Sequence, residues 1–277
     1  MKQMGLRSVM LARIRDSILR KILRRLDFDE AMYFSKYLML RQGFGSGGAA
    51  QKGGEAGILK LISRRDPVVF DVGAHVGEYA AMVLENLPSA TVYAFEPSDA
   101  HFARLQNALS GDSRAKLFNV GLAEKVGRRN LFKASEVSGL ASFAQRRLDH
   151  FDIKMDLVED VTVTTVDEVV AEIGIAKIDL LKIDVEGFEI DVLKGSVNSL
   201  ASGIIDFVQF EFGGTYLDTH TNFQDMFYLF ERYGMVLGII KPDGSVHVID
   251  RYREIYEYYN GASNWIAGNR DRLSALA

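Results

Sequence analysis

Residues 68–77 read VVFDVGAHVG, and this stretch carries most of the information about the fold. Its first half has the β-branched, apolar composition of a buried strand and ends in Asp71. Its second half is a loop with glycines at Gly73 and Gly77, and a helical pattern follows over residues 78–86. Glycines in such a loop let the backbone approach a ligand, because no Cβ intrudes. The stretch therefore predicts a strand, a binding loop and a helix in succession.

A second apolar run, residues 91–95, follows that helix and ends in Glu96. The order strand, glycine loop, helix, strand and acid is typical of open α/β sheets that bind an adenosine-containing ligand, whose ribose hydroxyls donate to the acid. The spacing Gly73-x-x-x-Gly77 lacks the double-glycine turn of a dinucleotide fingerprint, and no phosphate-loop Lys-Ser/Thr follows. Asp71 would also repel a phosphate. These features favour a ligand with a cationic amine and no pyrophosphate, such as S-adenosylmethionine.

The composition is that of an ordinary globular protein, with 277 residues, 48% hydrophobic and 25% charged. A net charge of -4 argues against binding to nucleic acid, and the absence of cysteine excludes disulfides and thiolate–metal sites. The apolar runs are too short to span a bilayer, and the basic N-terminus lacks the apolar core of a signal peptide. We therefore expect a cytoplasmic protein.

Residues 1–42 differ from the rest of the chain, because apolar residues recur there at helical spacing with basic residues between them. The apolar positions are Leu6, Val9, Met10, Ile14, Ile18, Ile22 and Leu26. One or two basic amphipathic helices are expected. Packing on the folded domain, or on a second subunit in a homo-oligomer, is favoured over peripheral contact with an anionic membrane, since residues 26–40 continue apolar and aromatic. Residues 43–57 are glycine-rich and predict a flexible linker or lid.

From residue 68 onward strands and helices alternate, which predicts an α/β fold with a mostly parallel sheet covered on both faces. We expect a Rossmann-like sheet of seven strands that ends in an antiparallel hairpin. The expected strands are residues 68–72, 91–95, 116–120, 178–183, 205–212, 235–240 and 245–249. Further strand pieces at residues 128–134 and 161–165 flank an irregular insertion.

A second group of acids follows two of these strands. The segment IDLLKIDVEGFEIDVLKG, residues 178–195, places Asp184 after its strand and Glu186 two residues on, and Glu211 ends the next strand. In an open parallel sheet the ligand lies beyond the carboxyl ends of the strands, where acids require cations or ligand donors. We therefore assign Asp184 and Glu186 to donor binding. Asp184 and Glu211 are also candidates for a general base or for ligands of Mg²⁺ or Mn²⁺.

Five motifs together resemble the FkbM family of S-adenosylmethionine-dependent methyltransferases, over residues 68–270. They are FDVGAHVGEYA from Phe70, AFEP from Ala94, NVGLAEKVG from Asn119, VTTVDEVV from Val163 and KIDLLKIDVEGFEIDVLKG from Lys177. The resemblance implies a class I methyltransferase domain over residues 58–277 that methylates a hydroxyl of a sugar or other small bacterial metabolite. It adds Asn119, Gly121 and His75 to the cofactor-binding residues. His75 stands where the family usually has Asn, which places an ionisable group near the methyl donor.

A hydroxyl acceptor must lose its proton during methyl transfer, so a base is expected near the donor. The candidates are Asp184, Glu211, His75 and His220. The acceptor, a small molecule or a glycan, is expected to meet residues 135–151 and 213–223, which are rich in hydroxyl-bearing and aromatic side chains.

Two other classes of protein remain open from the sequence. An NAD- or nucleotide-sugar-dependent oxidoreductase is disfavoured by the missing third glycine and by the lack of a Tyr-x-x-x-Lys pair near a strand end. A non-catalytic, membrane-associated binding protein would use the basic N-terminus, but the donor motifs argue against it.

Overall fold

The computed structural model describes residues 20–277 apart from 22, 48–53 and 137. It divides into two compact units, Met1–Arg41 and Gln42–Ala277. Most of the predicted N-terminal amphipathic pattern, up to residue 19 and at Ile22, lies outside the described residues. No helix in the described ranges is long and apolar enough to cross a membrane.

The described part of the first unit contains the helix α1 (Phe28–Arg41). A reciprocal cap starts it, because the backbone N–H of Asp27 donates to Glu30 at 3.0 Å and that of Glu30 donates to Asp27 at 2.8 Å. None of its residues is buried, and Phe28 and Tyr33 are 78% and 75% exposed. This helix therefore presents aromatic side chains in an apolar surface that another surface could cover.

Deletion of residues 1–42 tests the role expected for this segment. We expect it to associate with protein, so its loss should change the oligomeric state or lower the solubility, as measured by light scattering after size-exclusion chromatography. Co-sedimentation of the intact protein with anionic vesicles, weakened by salt and lost on deletion, would instead support the membrane alternative.

The second unit is built on two sheets and short helices. Its strands are β1 (Val68–Val72), β2 (Thr91–Phe95), β3 (Ala115–Phe118), β4 (Gly121–Leu122), β5 (Gly127–Lys133), β6 (Leu157–Thr164), β7 (Ile178–Ile183), β8 (Ile205–Phe212), β9 (Val236–Ile240), β10 (Val246–Val248) and β11 (Ser263–Gly268). Its helices are α2 (Glu55–Ile58), α3 (Glu78–Asn86), α4 (Asp99–Ala108), α5 (Val166–Ile173), α6 (Glu189–Lys194), α7 (Val197–Ala201), α8 (Tyr216–Thr219), α9 (Phe223–Arg232) and α10 (Arg270–Ser274).

The main sheet has the order β10-β9-β11-β8-β7-β1-β2-β3. The five strands from β8 to β3 are parallel, as predicted, whereas β11 runs antiparallel to both β8 and β9. The expected count of seven strands was wrong, because the sheet in the described residues has eight. The missed strand, β11, reads SNWIAG and is buried at every position, so it shows neither alternation nor a long apolar run. The predicted β9–β10 hairpin is present.

The order of the parallel strands reverses at the centre of the sheet, between β1 and β7. The chain passes from β1 to β2 and β3 on one side, then returns to β7 and β8 on the other. Such a reversal leaves a crevice at the carboxyl ends of the two central strands, β1 and β7. Four of the five residues of β1 and all six of β7 are buried, as expected for central strands covered on both faces.

A smaller sheet, of order β4-β6-β5, accounts for the extra strand pieces that the sequence predicted. Its β5 and β6 pair antiparallel from Gly127 with Val163 to Lys133 with Leu157. The chain between these strands, residues 134–156, leaves the sheet and turns toward the carboxyl ends of the main strands, where it lines a cavity.

The glycine-rich segment is more closely packed than its composition predicted. Gly45 donates its backbone N–H to the Ser263 hydroxyl at 2.8 Å, and Gly47 donates to the Ala262 carbonyl at 2.7 Å. A Cβ on Gly57 would come within 2.6 Å of the Gly244 Cα. On both sides of the undescribed residues 48–53, glycine thus permits close contact between backbones, which a flexible linker does not require.

Candidate active site

A cavity of about 1120 Å³ lies beyond the carboxyl ends of β1, β2, β7 and β8. Both segments expected to meet the acceptor contribute to its wall. The lining includes residues 139–143, 146–148 and 150–151 from the first segment and residues 213–215 and 217–218 from the second. The position and size suit a small ligand at the crevice where the strand order reverses.

Glu96 is fixed in this wall by the glycine loop. Its carboxylate accepts the backbone N–H groups of His75 and Ser98, each at 2.9 Å, and the residue is only 5% exposed. Each carboxylate oxygen has a further acceptor site, and the side chain lines the cavity. Glu96 is therefore oriented to accept hydrogen bonds from a ligand, as the sequence predicted for ribose hydroxyls.

The glycine loop turns directly against the end of β7. Gly73 has a φ of 79°, and a Cβ at this position would collide with the carbonyl oxygen of Asp184. The N–H groups of Gly73 and Ala74 both donate to the Phe95 carbonyl at 3.0 Å. Glycine is required here for contact between protein segments, and Gly73 also lines the cavity.

Asp71 does not lie on the cavity wall, although the sequence assigned it to the donor site. The residue is fully buried, and Lys182 Nζ lies 3.2 Å from its carboxylate. The two residues are register partners on β1 and β7. Burial alone would lower the pKa of Lys182, but the carboxylates of Asp71, Asp184 and Glu55 raise it above its usual value. Lys182 thus remains charged and offsets the charge of Asp71.

Asp184 and Glu211 converge, because β7 and β8 are parallel neighbours and Ile183 pairs with Phe210. Together with Glu186 they offer carboxylate oxygens that all lie within 4.8 Å of one another. Burial raises the pKa of Glu211 well above its usual value, and the nearby Asp184 and Glu186 add to the effect. The pair can therefore hold a proton between them or bind a cation.

Two cations already partner this acidic cluster. Lys182 Nζ lies 3.4 Å from Asp184, and Arg146 donates to Glu186 at 2.8 Å and approaches Asp218 at 3.4 Å. Burial raises the pKa of Glu186 to about 8, with Asp184 adding and Arg146 opposing. A divalent metal favours six or more oxygen ligands. It would therefore have to compete with Lys182 and Arg146 for the carboxylate oxygens of this cluster. The cluster therefore fits a proton-transfer role better than a metal site.

The remaining predicted residues divide between the wall and its supports. His75 and Gly121 line the cavity, and burial lowers the pKa of His75, with His101 adding to the effect. Asn119 lies outside the wall and donates to the carbonyls of Glu96 and Pro97 at 3.2 and 3.3 Å, so it supports the turn after β2. His220 is exposed with a φ of 54° at the end of α8 and does not line the cavity. The structure therefore does not place His220 as a base.

Sequence reasoning did not single out six charged residues of the cavity wall, namely Glu55, Glu78, Arg146, Arg147, Lys182 and Asp218. Lys182 gave a signal, since a lysine stands among the apolar residues at the end of the strand IDLLKI, two positions before Asp184. Its partner, Asp71, is specified only by the register of β1 and β7. Arg146 comes from an irregular segment and Glu55 from the start of the short helix α2, and neither stands in a recognisable sequence pattern.

The sheet order and the ligand crevice define a class I methyltransferase fold. The model of the methyltransferase FkbM domain matches residues 71–237, more than half of the chain, and the chain therefore belongs to the FkbM family of methyltransferases. The match includes the end of β1, the glycine loop, Asp184 and Glu211.

Characterised relatives share roughly a third or less of their residues with this chain. The 2-O-methyltransferase NoeI of Sinorhizobium fredii is 28% identical over 52% of this chain and 63% of its own length. The 31-O-demethyl-FK506 methyltransferase FkbM of Streptomyces tacrolimicus is 33% identical over 48% of this chain and 60% of its own length. The hexuronic acid methyltransferase AglP of Haloferax volcanii is 29% identical over 54% of this chain and 59% of its own length. The chain thus spans about 60% of the length of these relatives.

A solved structure, the methyltransferase FkbM from Methylobacillus flagellatus KT, aligns with 76% of this chain and 47% of its own at 16% identity and a TM-score of 0.48.

Proposed function

We propose that this methyltransferase uses S-adenosylmethionine to methylate a hydroxyl of a sugar or another small metabolite. The names of the three relatives support the choice of oxygen and of a sugar-like acceptor, because two specify O-methylation and one specifies a hexuronic acid. The charge of the cavity wall supports the choice of donor.

The assignment of S-adenosylmethionine as the donor rests on the excess of acidic residues in the cavity wall. Its acids are Glu55, Glu78, Glu96, Asp184, Glu186, Glu211 and Asp218, and its lysine and arginine residues are Arg146, Arg147 and Lys182. An acidic wall attracts a ligand that carries a sulfonium and an ammonium group. It disfavours the pyrophosphate of NAD or a nucleotide sugar, since the cavity offers neither a double-glycine turn nor an excess of cations. The charge balance therefore argues against the oxidoreductase alternative.

The chemistry requires little covalent work from the protein. An oxygen lone pair of the acceptor forms a bond to the methyl carbon while the carbon–sulfur bond breaks and its electrons pass to sulfur. The sulfonium becomes a thioether, and the hydroxyl proton passes to a carboxylate. Asp184 stands where β7 meets the glycine loop and is 39% exposed at its side chain, so an acceptor in the cavity can reach it. The wall itself contributes mainly by holding donor and acceptor in line.

Replacement of Glu96 tests the donor site. Glu96→Ala removes the carboxylate that is oriented by two backbone N–H groups. We expect S-adenosylmethionine to bind about ten- to a hundredfold more weakly, because a hydrogen bond to a charged group contributes about 1.5–3 kcal/mol. Calorimetric titration measures the affinity, and thermal unfolding verifies the fold. Glu231→Ala, at an exposed position on α9, is the matched control. Unchanged affinity in Glu96→Ala would remove the donor assignment.

A further inference from the structure

Glu55 enters the cavity wall from outside the family domain. It belongs to α2 in the glycine-rich segment, 16 residues before the start of the matched residues 71–237. The residue is 7% exposed, and it lines the cavity beside the ends of β7 and β8. A carboxylate in this position is costly to bury unless a cation or several donors compensate it.

A hydrogen-bonded chain fixes the orientation of Glu55. The side-chain amide N–H of Gln209, on β8, donates to the Glu55 carboxylate. The amide oxygen of Gln209 accepts from the Tyr79 hydroxyl at 2.6 Å, so the amide cannot turn its oxygen toward Glu55 without losing both bonds. Gln209 is also the register partner of Lys182 on β7. Residues on two elements, β8 and α3, therefore hold one carboxylate oxygen of Glu55 in place.

Glu55 has no cation of its own in the part of the chain that the structure describes. The nearest, Lys182, is 3.2 Å from Asp71 and 3.4 Å from Asp184, but it does not come within ion-pair distance of Glu55. Burial raises the pKa of Glu55 to about 7, with Lys182 opposing and the charge of Asp184 adding to the rise. Such a carboxylate on a ligand cavity fits a cationic group of the ligand.

The methyl donor carries two cationic groups, and their geometries differ. The sulfonium must present its methyl group to the acceptor and offers no N–H donor. An α-ammonium group offers three N–H donors, which match a carboxylate that has a free oxygen. We propose that Glu55 binds the α-ammonium group of the donor, an inference that rests on the function proposed above.

The test compares two ligands that differ in the amino-acid portion. S-adenosylhomocysteine carries the α-ammonium group, whereas 5′-methylthioadenosine has the same adenosine and a thioether but no amino acid. Glu55→Gln keeps the size of the side chain and its carbonyl can still accept from Gln209. In the full-length protein we expect this variant to lose about ten- to a hundredfold in affinity for S-adenosylhomocysteine, and less than about twofold for 5′-methylthioadenosine.

Calorimetric titration of both ligands gives the four affinities of this cycle. Equal losses for the two ligands, or no loss for either, would overturn the inference, because the effect of Glu55 would then not depend on the ammonium group. Failure of the unsubstituted protein to bind either ligand would overturn the donor assignment itself. Glu55→Asp, which keeps the charge, provides the second variant if Glu55→Gln unfolds, and it should lose affinity for S-adenosylhomocysteine alone. Glu231→Gln on α9 is the control.

Discussion

Lys182→Met should destabilise the protein by about 3–5 kcal/mol at pH 8, because it leaves the carboxylate of Asp71 buried without its cation. Asp71 is fully buried, and Lys182 Nζ, at 3.2 Å, is its ion-pair partner. Methionine fills a similar volume and can keep the contact that Lys182 makes over the Tyr79 ring. The loss therefore reports the uncompensated charge rather than a cavity. Urea unfolding followed by circular dichroism measures it.

The loss should depend on pH in a defined direction. Burial already raises the pKa of Asp71, and removal of Lys182 raises it further. An acid whose pKa is higher in the folded state than in the unfolded state costs stability as the pH rises, so the variant should be less destabilised at pH 5.5 than at pH 8. Asp71→Asn combined with Lys182→Met should recover part of the stability at pH 8, since no charge is then buried.

An exposed ion pair provides the control for this experiment. Arg128 on β5 lies 2.8 Å from Asp160 on β6, and both side chains are more than half exposed. Arg128→Met should change the free energy of unfolding by less than about 1 kcal/mol. A Lys182→Met protein as stable as the unsubstituted one at pH 8 would show that Asp71 does not depend on this pair.

The sequence predicted the parts of the site that follow from strand order. Motifs at β1 and β7 identified two strand ends, and the rule for open parallel sheets placed Asp184 and Glu211 at one edge. The structure makes β7 and β8 neighbours, so these two acids converge as expected. Glu96 lies at the same edge, as expected for an acid that directly follows β2, and it lines the cavity.

The parts that the sequence did not predict depend on contacts between distant segments. Asp71 was assigned to a ligand, but it pairs with Lys182 instead. The sequence did not predict this pair, because Lys182 lies 111 positions further along the chain and only the register of β1 and β7 brings the two together. Asn119 supports a turn, and nothing in its motif distinguishes that role from ligand contact. His220, the left-handed residue that ends α8, lies outside the cavity wall. Arg146 reaches the site from an insertion whose path has no sequence periodicity.

Asp184→Asn should lower turnover by about 10²- to 10⁴-fold, the range expected for the loss of a general base. The carboxylate lies at the edge of the sheet beside Glu211. The backbone carbonyl of the same residue packs against Gly73 of the glycine loop. Asparagine keeps the size and a carbonyl oxygen, but it cannot take the acceptor proton. Donor affinity should change little, because Glu96 and the glycine loop remain. Methyl transfer in single-turnover experiments, together with calorimetric titration of the donor, measures the two effects separately.

Chelation then distinguishes a base from a metal ligand at Asp184. We expect activity to be insensitive to EDTA, because Lys182 and Arg146 already partner two of the three clustered acids. Activity lost with EDTA and restored by Mg²⁺ or Mn²⁺ would instead assign Asp184 and Glu211 as metal ligands that lower the pKa of the acceptor hydroxyl. Glu211→Gln adds a second measure, since a supporting role predicts a smaller loss of turnover than in Asp184→Asn. Near-normal turnover by Asp184→Asn would contradict both roles and leave Glu211 and His75, the other predicted bases that line the cavity, as candidates.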